Sequence, residues 1–177
     1  DILLIEPVIH NDERGYFVET YKQKLLDEAL GYRVNFIQDN ESKSTSKGVL
    51  RGLHFQSPPF TQNKLVRVIQ GEVLDIAVDI RRNSPTFGKH ISVELSQKNK
   101  KQLFVPIGFA HGFIVQSEEA IFAYKVDAYY SAEHEVGIAY NDKDINIDWH
   151  FLDKEIILSK ADQNYPNLAD IKNYFDF

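Results

Sequence analysis

An arginine and a histidine, Arg51 and His54, lie three positions apart in the apolar segment 48–56, which also contains two glycines. Both side chains are costly to bury unless a partner or a function compensates. An odd separation places two side chains on opposite faces of a flat strand, but Gly52 between them permits a bulge that re-aims one of them. A cation beside a titratable imidazole suits an anionic substrate and a proton transfer.

A second histidine, His111, lies in the segment 104–113, where one proline and two glycines restrict the backbone. We expect His54 and His111 on two separate strands of one barrel. A lone histidine is often satisfied by a carbonyl group in the core. Two of them in glycine-containing strands beside Arg51 favour a functional site.

A metal centre is one alternative, because the Pro-x-Gly-x-x-His spacing of residues 106–111 is similar to the second motif of metal-binding cupins. Their first motif carries His-x-His and then a glutamate, whereas this chain has His54, Phe55 and Gln56. Two imidazoles fall short of the three protein ligands that catalytic zinc or iron sites generally use. We therefore expect no metal at this site, and proton transfer between side chains and a substrate would require no other cofactor.

General acid–base chemistry fits better, since histidine titrates near neutral pH and a carboxylate partner would fix its tautomer. Four acidic residues lie in or next to ordered-looking segments: Asp75, Asp79, Asp127 and Asp162. Tyr124 shares strand parity with Phe122 and Val126, so its phenol is expected to face inward. Lys64 begins an apolar strand, where a solvated lysine is the ordinary expectation. Arg14 lies in a turn with two aromatic residues, which suits a phosphate or a planar base.

Strands are the elements that must position these residues. From residue 74 to 80 the even positions are aliphatic, and residues 91–96 alternate in the same way. Gly71 and Glu72 mark a hairpin or a corner, and turn clusters at 83–85 and 97–99 have the spacing of an all-β sandwich or barrel. We predict an all-β fold, a cupin-like jelly-roll β-barrel with short peripheral helices, as one domain over residues 1–177.

Two helices are predicted at the periphery. Thr20 and Gln23 form a capping-box pattern before an apolar stripe that Gly31 ends. Beyond Asn141 the pattern loosens into polar loops around Trp149, and a short terminal helix is expected near residues 168–174.

Composition excludes several classes of protein. The 177 residues carry a net charge of −6, which argues against a nucleic-acid binder with a broad basic face. The chain has no cysteine, which excludes disulfides and thiolate chemistry. No apolar stretch approaches the roughly 20 residues of a membrane span, and no signal-peptide pattern opens the chain. We expect a cytoplasmic protein with no membrane or nucleic-acid partner.

Together these stretches resemble the dTDP-4-dehydrorhamnose 3,5-epimerase family, cupin-fold enzymes of deoxysugar nucleotide biosynthesis. The resemblance runs from about residue 6 to residue 162. The matching stretches are RGYFVE at 14–19, QDN at 38–40, GVLRGLHFQ at 48–56, QNKLV at 62–66, VDIR at 78–81, SPTFG at 84–88, PIGFAHGF at 106–113, and YK at 124–125 followed by YY at 129–130.

The resemblance implies a role for each matching residue. His54 corresponds to the catalytic base and Asp162 to the aspartate that binds it. Tyr124 corresponds to the tyrosine that returns a proton on the opposite face of the sugar, and Lys64 to the lysine near the developing enolate. The matching substrate-binding positions are Arg14, Phe17, Glu19, Gln38, Asn40, Arg51, Gln56, His111, Tyr129, Tyr130 and Glu135.

Among these, Arg51 corresponds to a diphosphate contact. The family places Arg14, Phe17 and Glu19 in the site of the other subunit, which implies a homodimer with shared active sites. Glu135 and one of the two adjacent tyrosines correspond to the nucleoside end. The chain departs from the family's Leu-Ser-Glu-Lys-Asp pattern, with lysine at 160 and alanine at 161, and from its Trp-Pro pattern, with histidine at 150.

The implied activity is 3,5-epimerisation of a nucleotide-diphospho-4-keto-6-deoxysugar, with dTDP-4-dehydro-6-deoxyglucose as the leading substrate. Two close alternatives are a 3-epimerase that inverts one centre and an epimerase for a GDP-linked 4-keto-heptose. Two alternatives from other classes are a metal-dependent cupin isomerase or dioxygenase and a non-catalytic sugar-nucleotide binding protein. The combination of His54, Lys64, Tyr124 and Asp162 argues against mere binding, which needs neither an acid nor a base.

Overall fold

The computed structural model describes residues 1–176, and for residue 153 it describes the backbone alone. In chain order the strands are β1 (Leu3–Ile5), β2 (Ile9–Asp12), β3 (Gly15–Val18), β4 (Gln38–Ser44), β5 (Leu50–Gln56), β6 (Lys64–Gln70), β7 (Glu72–Asp79), β8 (His90–Ser96), β9 (Gln102–Val105), β10 (Phe109–Val115), β11 (Ala120–Val126) and β12 (Glu135–Gly137). The α-helix is α1 (Gln23–Leu30), and short 3-10 turns cover Ala132–His134, Asp153–Glu155, Asp162–Asn164 and Leu168–Asp170.

Two five-stranded antiparallel sheets form the body of the molecule. The first has the order β1-β9-β6-β11-β4 and the second has the order β12-β5-β10-β7-β8. Strands β2 and β3 form a separate hairpin. This arrangement confirms the predicted all-β, cupin-like fold. Gly71 lies where the chain passes from β6 in the first sheet to β7 in the second, so the predicted break is a corner between sheets.

Apolar side chains from both sheets meet in the core between them. Val66 and Phe122 come from the first sheet, and Ala77 and Phe113 come from the second. The predicted alternation in β7 divides its side chains between two cores. The odd positions of β7 face this inter-sheet core, whereas Leu74, Ile76 and Val78 pack in a second core under the C-terminal segment.

The C-terminal segment differs from its predicted form. Trp149 is buried in the second core and donates a hydrogen bond from Nε1 to the Tyr140 carbonyl at 2.8 Å. The predicted terminal helix is wrong beyond the 3-10 turn Leu168–Asp170. Residues 171–176 are not helical, and the rings of Tyr174 and Phe175 pack edge-on against Phe55, so tertiary packing overrides the local helical pattern.

The first helix is shorter than predicted at its start. Its N-cap is Lys22 without a side-chain cap, so the Thr20–Gln23 capping box is wrong. The Gln23 amide instead donates to Asp27 and to the Val34 carbonyl, which ties the helix to the following loop. Gly31 ends the helix in the left-handed conformation, as predicted. No helix in the described part of the chain is long and apolar enough to cross a membrane.

Strands β5 and β10 approach each other closely at the predicted bulge. His111 pairs with His54 and Phe113 pairs with Arg51, so three steps on β5 match two steps on β10. The extra residue brings Arg51 and His54 to the same side of the sheet. Gly52 makes the approach possible, because a Cβ atom there would lie 2.5 Å from the Gly112 Cα.

We predict that Gly52→Ala lowers the free energy of unfolding by about 3 kcal/mol, because it adds backbone strain at a φ of +125° to a clash with rigid backbone. Gly31→Ala is the matched control, with a φ of +77° and no atom within 4 Å of its added Cβ. Its cost should be only about 1 kcal/mol. Urea unfolding of both variants measures the difference, and equal losses would refute the close approach at the bulge.

Candidate active site

A cavity of about 270 Å³ lies between the two sheets. Its lining comes from both sheets and from the C-terminal segment, and consists of Ser42, Arg51, His54, Lys64, His111, Phe113, Phe122, Tyr124, Ser159 and Asp162. The structure therefore brings together all four residues for which the sequence predicted a catalytic role. Arg51 and His111 join them from the predicted binding set.

His54 and Asp162 form the central pair of this cavity. The His54 Nε2 atom lies 2.7 Å from Asp162 Oδ1, although 108 residues separate them in the chain. The Asp162 side chain is 5% exposed and that of His54 is 27% exposed. The pair therefore lies at the wall of the cavity, with the carboxylate buried and the histidine toward the open space.

Hydrogen bonds keep Asp162 ionised in spite of its burial. Burial alone would raise the pKa of Asp162, but hydrogen bonds from His54, Ser159 and the Gly52 amide outweigh it and lower that pKa. The Ser159 hydroxyl donates to Asp162 Oδ2 at 2.6 Å. An ionised carboxylate only accepts hydrogen bonds, so His54 must donate from Nε2. A neutral His54 then keeps its free lone pair on Nδ1, in the state of a base.

His111 lies directly opposite His54 on the neighbouring strand and is paired with a different carboxylate. Its Nε2 atom lies 2.9 and 3.0 Å from the two oxygens of Asp75, which is fully buried. The His111 ring stacks on Phe122 at a centroid distance of 6.1 Å. Both histidines are thus oriented by aspartates, and they form one side of the cavity.

Lys64 and Tyr124 line the cavity from the first sheet, facing the histidines on the second. Tyr124 faces inward, as its parity predicts, and burial raises the pKa of its phenol, with a further increase from Glu135. Burial lowers the pKa of Lys64 to about 8, although Glu135 and Asp75 oppose that shift. Lys64 is therefore not the solvated lysine of the ordinary expectation. Its Nζ atom lies 3.4 Å from the His54 carbonyl oxygen.

Arg51 provides a positive charge at the edge of the cavity. The side chain reaches from the second sheet toward β4 of the first, where its Nε atom donates to Ser44 Oγ and an Nη atom donates to the Lys43 carbonyl, each at 3.3 Å. Arg51 is exposed, so its guanidinium is available to an anion.

A polar cluster borders the cavity and includes five of the predicted binding residues. Its members are Gln38, Asn40, Gln56, Tyr130 and Glu135. The Gln38 amide donates to Asn40 at 2.8 Å, and the Gln56 carbonyl oxygen accepts from the Ser131 amide at 3.0 Å. The Tyr130 hydroxyl donates to Glu135, and this bond raises the pKa of Tyr130 to about 12. Asn40 also pairs with Tyr124 in the β4–β11 register, which connects the cluster to the cavity.

Four predicted binding residues lie apart from the cavity within the described chain. Arg14 is bound to Asp12 in the turn of the β2–β3 hairpin, and Phe17 on β3 is 66% exposed. Glu19 pairs with Lys22 at 3.1 Å. Tyr129 is 65% exposed.

The four acids named from the sequence have four different partners. Asp162 meets His54, and Asp75 meets His111. Asp79 instead accepts hydrogen bonds from Arg81, Ser84 and Thr86. Asp127 accepts a hydrogen bond from Asn63. Both of these carboxylates therefore stabilise loops and not the cavity. No group of three or more His, Cys, Asp or Glu side chains within residues 1–176, that of residue 153 excepted, is placed to hold a metal ion.

Sequence reasoning missed several members of the site. Ser42 shares inward parity with Asn40, so strand alternation could have found it. Phe113 and Phe122 read as ordinary core residues, which they also are. Tyr165, whose ring packs against His54, follows the C-terminal motif without any local signal.

The chain is similar to known proteins both in sequence and in structure. Residues 1–170 match the family model described as dTDP-4-dehydrorhamnose 3,5-epimerase. The dTDP-4-dehydrorhamnose 3,5-epimerase of Shigella flexneri is 53% identical over 175 residues, which cover 99% of this chain and 94% of that protein.

Two crystal structures are also closely similar. One is the dTDP-4-dehydrorhamnose 3,5-epimerase of Elizabethkingia anophelis, with a TM-score of 0.92 and 52% identity over 98% of this chain and 94% of the other. The second is the dTDP-6-deoxy-D-glucose-3,5-epimerase of Legionella pneumophila in complex with dTDP-4-keto-L-rhamnose. It has a TM-score of 0.95 and 47% identity, over 99% and 93% of the two chains.

The low pKa of Lys64 predicts a pH-dependent stability. Between pH 8 and 10.5 the unfolded lysine keeps its proton while the folded lysine loses it, so the free energy of unfolding rises with pH across this interval. The contribution is about 3 kcal/mol and should be absent from Lys64→Met. Urea unfolding of both proteins from pH 7 to 11 measures it. A constant difference between the two proteins would contradict the burial of this amine.

Proposed function

The chain belongs to the dTDP-4-dehydrorhamnose 3,5-epimerase family, and from that premise we propose how its residues perform the reaction. It is an isomerase that converts dTDP-4-dehydro-6-deoxyglucose to dTDP-4-dehydrorhamnose by inverting C3 and C5. One observation carries the assignment of roles: the His54–Asp162 pair and the Tyr124 phenol lie in one cavity, on residues that come from facing sheets.

The C4 ketone makes the chemistry possible. It acidifies the protons on C3 and C5, because the carbanion formed by removing either proton delocalises onto the ketone oxygen. His54 removes the proton with Nδ1 while Nε2 remains hydrogen-bonded to Asp162. The carboxylate stabilises the resulting imidazolium, as expected for an ionised partner in a largely buried place.

Lys64 acts on the negative charge that develops on the ketone oxygen. Its ammonium lines the cavity, and one donor fixed beside a developing negative charge is often worth about 3–4 kcal/mol in the transition state. Glu135 and Asp75 favour the charged form of Lys64, which is the form this role requires.

Tyr124 delivers a proton to the opposite face of the sugar ring. Inversion requires that the acid and the base stand on different sides of the reacting carbon. The raised pKa of Tyr124 keeps its proton on the phenol until the carbanion forms. The position of Tyr124 on the sheet that faces His54 supports this role.

The remaining cavity and cluster residues hold the nucleotide part of the substrate. Arg51 binds the diphosphate, because its exposed guanidinium offers several donors at the cavity edge. His111 lines the pocket beside it. Gln38, Asn40, Gln56 and Glu135 form the nucleoside end together with one of the two adjacent tyrosines, Tyr129 or Tyr130.

A homodimer completes each site. Arg14, Phe17 and Glu19 lie on or next to the β2–β3 hairpin, and an exposed phenylalanine beside an exposed arginine suits a flat base and a phosphate. We infer that this hairpin enters the cavity of a second copy of the chain. The inferred arrangement covers the ring of Phe17, which is 66% exposed within its own chain, with the substrate bound by the second copy.

We predict that His54→Ala lowers solvent-deuterium incorporation at C3 and C5 by about 10²–10⁴-fold, the usual contribution of a general base. The assay is proton NMR of the sugar nucleotide incubated with enzyme in deuterated water. His90→Ala, on the edge strand β8, is the matched control and should exchange at the wild-type rate. Undiminished exchange in His54→Ala would remove His54 from the mechanism.

Mixing two inactive variants tests the shared site. Arg14→Ala and His54→Ala should each be inactive alone, but a random heterodimer contains one site with both an intact His54 and an intact Arg14. An equimolar mixture should therefore recover about a quarter of the wild-type activity. A mixture that stays inactive, with subunit exchange shown by native mass spectrometry, would place Arg14 in the site of its own chain.

The same NMR assay distinguishes the neighbouring activities. A double epimerase exchanges and inverts at both C3 and C5, whereas a 3-epimerase acts at C3 only. A panel that includes a GDP-linked 4-keto-heptose tests the nucleotide and the sugar.

We predict full activity in excess chelator, with no metal found by elemental analysis. Loss of activity that an added divalent metal restores would instead favour the metal-dependent alternative.

A further inference from the structure

Tyr165 packs directly against the base. Its ring centroid lies 5.5 Å from that of His54, with the two planes at 79°. Edge-to-face contact at this distance is the favoured geometry for two aromatic rings. Tyr165 immediately follows the 3-10 turn Asp162–Asn164, so one short segment provides both the carboxylate that binds His54 and the ring that packs on it.

The sheet leaves a place for this ring. Gly137 on β12 lies opposite His54 in the strand register, where another residue would project a side chain. A Cβ atom at Gly137 would lie 2.4 Å from the Tyr165 ring, so the ring occupies the space that a side chain on β12 would need. The Ala139 amide donates to the Pro166 carbonyl at 2.8 Å, which anchors the residue after Tyr165 to the same chain segment.

The hydrogen bond to Asp162 opposes rotation of the His54 imidazole, but the torsion itself has a broad and roughly two-fold profile and adds little restraint. A ring flip would exchange the positions of the nitrogen and carbon atoms. It would break the bond from Nε2 to Asp162 and would aim a C–H bond, instead of the Nδ1 lone pair, at the substrate. A bulky neighbour on one side of the ring opposes that motion.

We propose that Tyr165 is a positioning residue for His54: its ring holds the imidazole in the orientation that keeps Nε2 on Asp162 and Nδ1 toward the cavity. The phenolic hydroxyl is not required for this task, whereas the aromatic ring is. The kinetic consequence rests on the proposed function of His54, but the orientation of the imidazole can be observed without any substrate.

Variants at two positions test the contact. Tyr165→Ala should slow deuterium incorporation at saturating substrate by about two- to tenfold, the scale of an aromatic contact of this kind, and Tyr165→Phe should restore it. Gly137→Ala should have a similar effect because it displaces the ring. In the Tyr165→Ala background the same glycine change should add little, since the ring that it would displace is gone.

Tyr174→Ala is the matched control. Tyr174 also lies in the C-terminal segment and packs edge-on, at 5.5 Å and 69°, but against Phe55 instead of His54. It should lower the melting temperature about as much as Tyr165→Ala and leave the exchange rate unchanged. A merely structural role for Tyr165 would make the two variants behave alike in both measurements.

Two-bond 1H–15N correlation spectra of the histidine side chains provide the readout that needs no substrate. The His54 signals are assigned by their absence in His54→Ala. The wild type and Tyr165→Phe should show one neutral tautomer with the proton on Nε2. In Tyr165→Ala the rings that flip lose the bond to Asp162, so the signals should be averaged between tautomers. An unchanged tautomer in Tyr165→Ala, or a rate loss no larger than in Tyr174→Ala, would overturn the proposal. A wild type without any exchange would refute the proposed function, while the spectra would still decide the role of Tyr165.

Discussion

The hydrogen bond between His54 and Asp162 is the contact on which the site depends. It joins the central part of β5 to a 3-10 turn near the C-terminal end, and it gives a buried carboxylate the partner that burial demands. Because Asp162 is held ionised by several donors, it also decides which nitrogen of His54 carries the proton. The C-terminal segment, whose sequence resembles loose coil, is therefore part of the proposed catalytic site as well as of the core.

The two-sheet architecture explains how opposite faces of one sugar ring can be reached. Alternation along a strand allows a sheet to present a row of side chains to the interior, and a second sheet presents another row from the other side. His54 and His111 belong to the row on the second sheet, and Lys64 and Tyr124 belong to the row on the first sheet. In the proposed reaction, a sugar ring between these rows meets His54 as the base on one face and Tyr124 as the acid on the other. We regard this geometry as the physical basis of stereochemical inversion.

Much of this arrangement could be predicted from local patterns, and the failures have physical causes. The glycine at position 52 indicated a bulge, and the parity of Tyr124 indicated its inward direction, because both depend on neighbouring residues alone. The pairing of His54 with Asp162 was predicted from the family resemblance alone. The two residues are 108 positions apart, and no local rule selects Asp162 among the many acidic residues of the chain. The terminal helix and the capping box failed because the tertiary contacts of Tyr174, Phe175 and Gln23 outweigh local propensity. The contact of Tyr165 with His54 could not be predicted from the sequence, because the Tyr165 ring occupies space that only a glycine at position 137 leaves open.

The stereochemistry of proton return tests the central claim most directly. In Tyr124→Phe the base remains intact, so His54 should still exchange the C3 and C5 protons with deuterated water, but the deuteron should return to the face from which the proton left. NMR of the recovered sugar nucleotide should therefore show deuterium with retained configuration. Inverted product formed at the wild-type rate would contradict the account, because some group other than Tyr124 would then supply the proton from the opposite side.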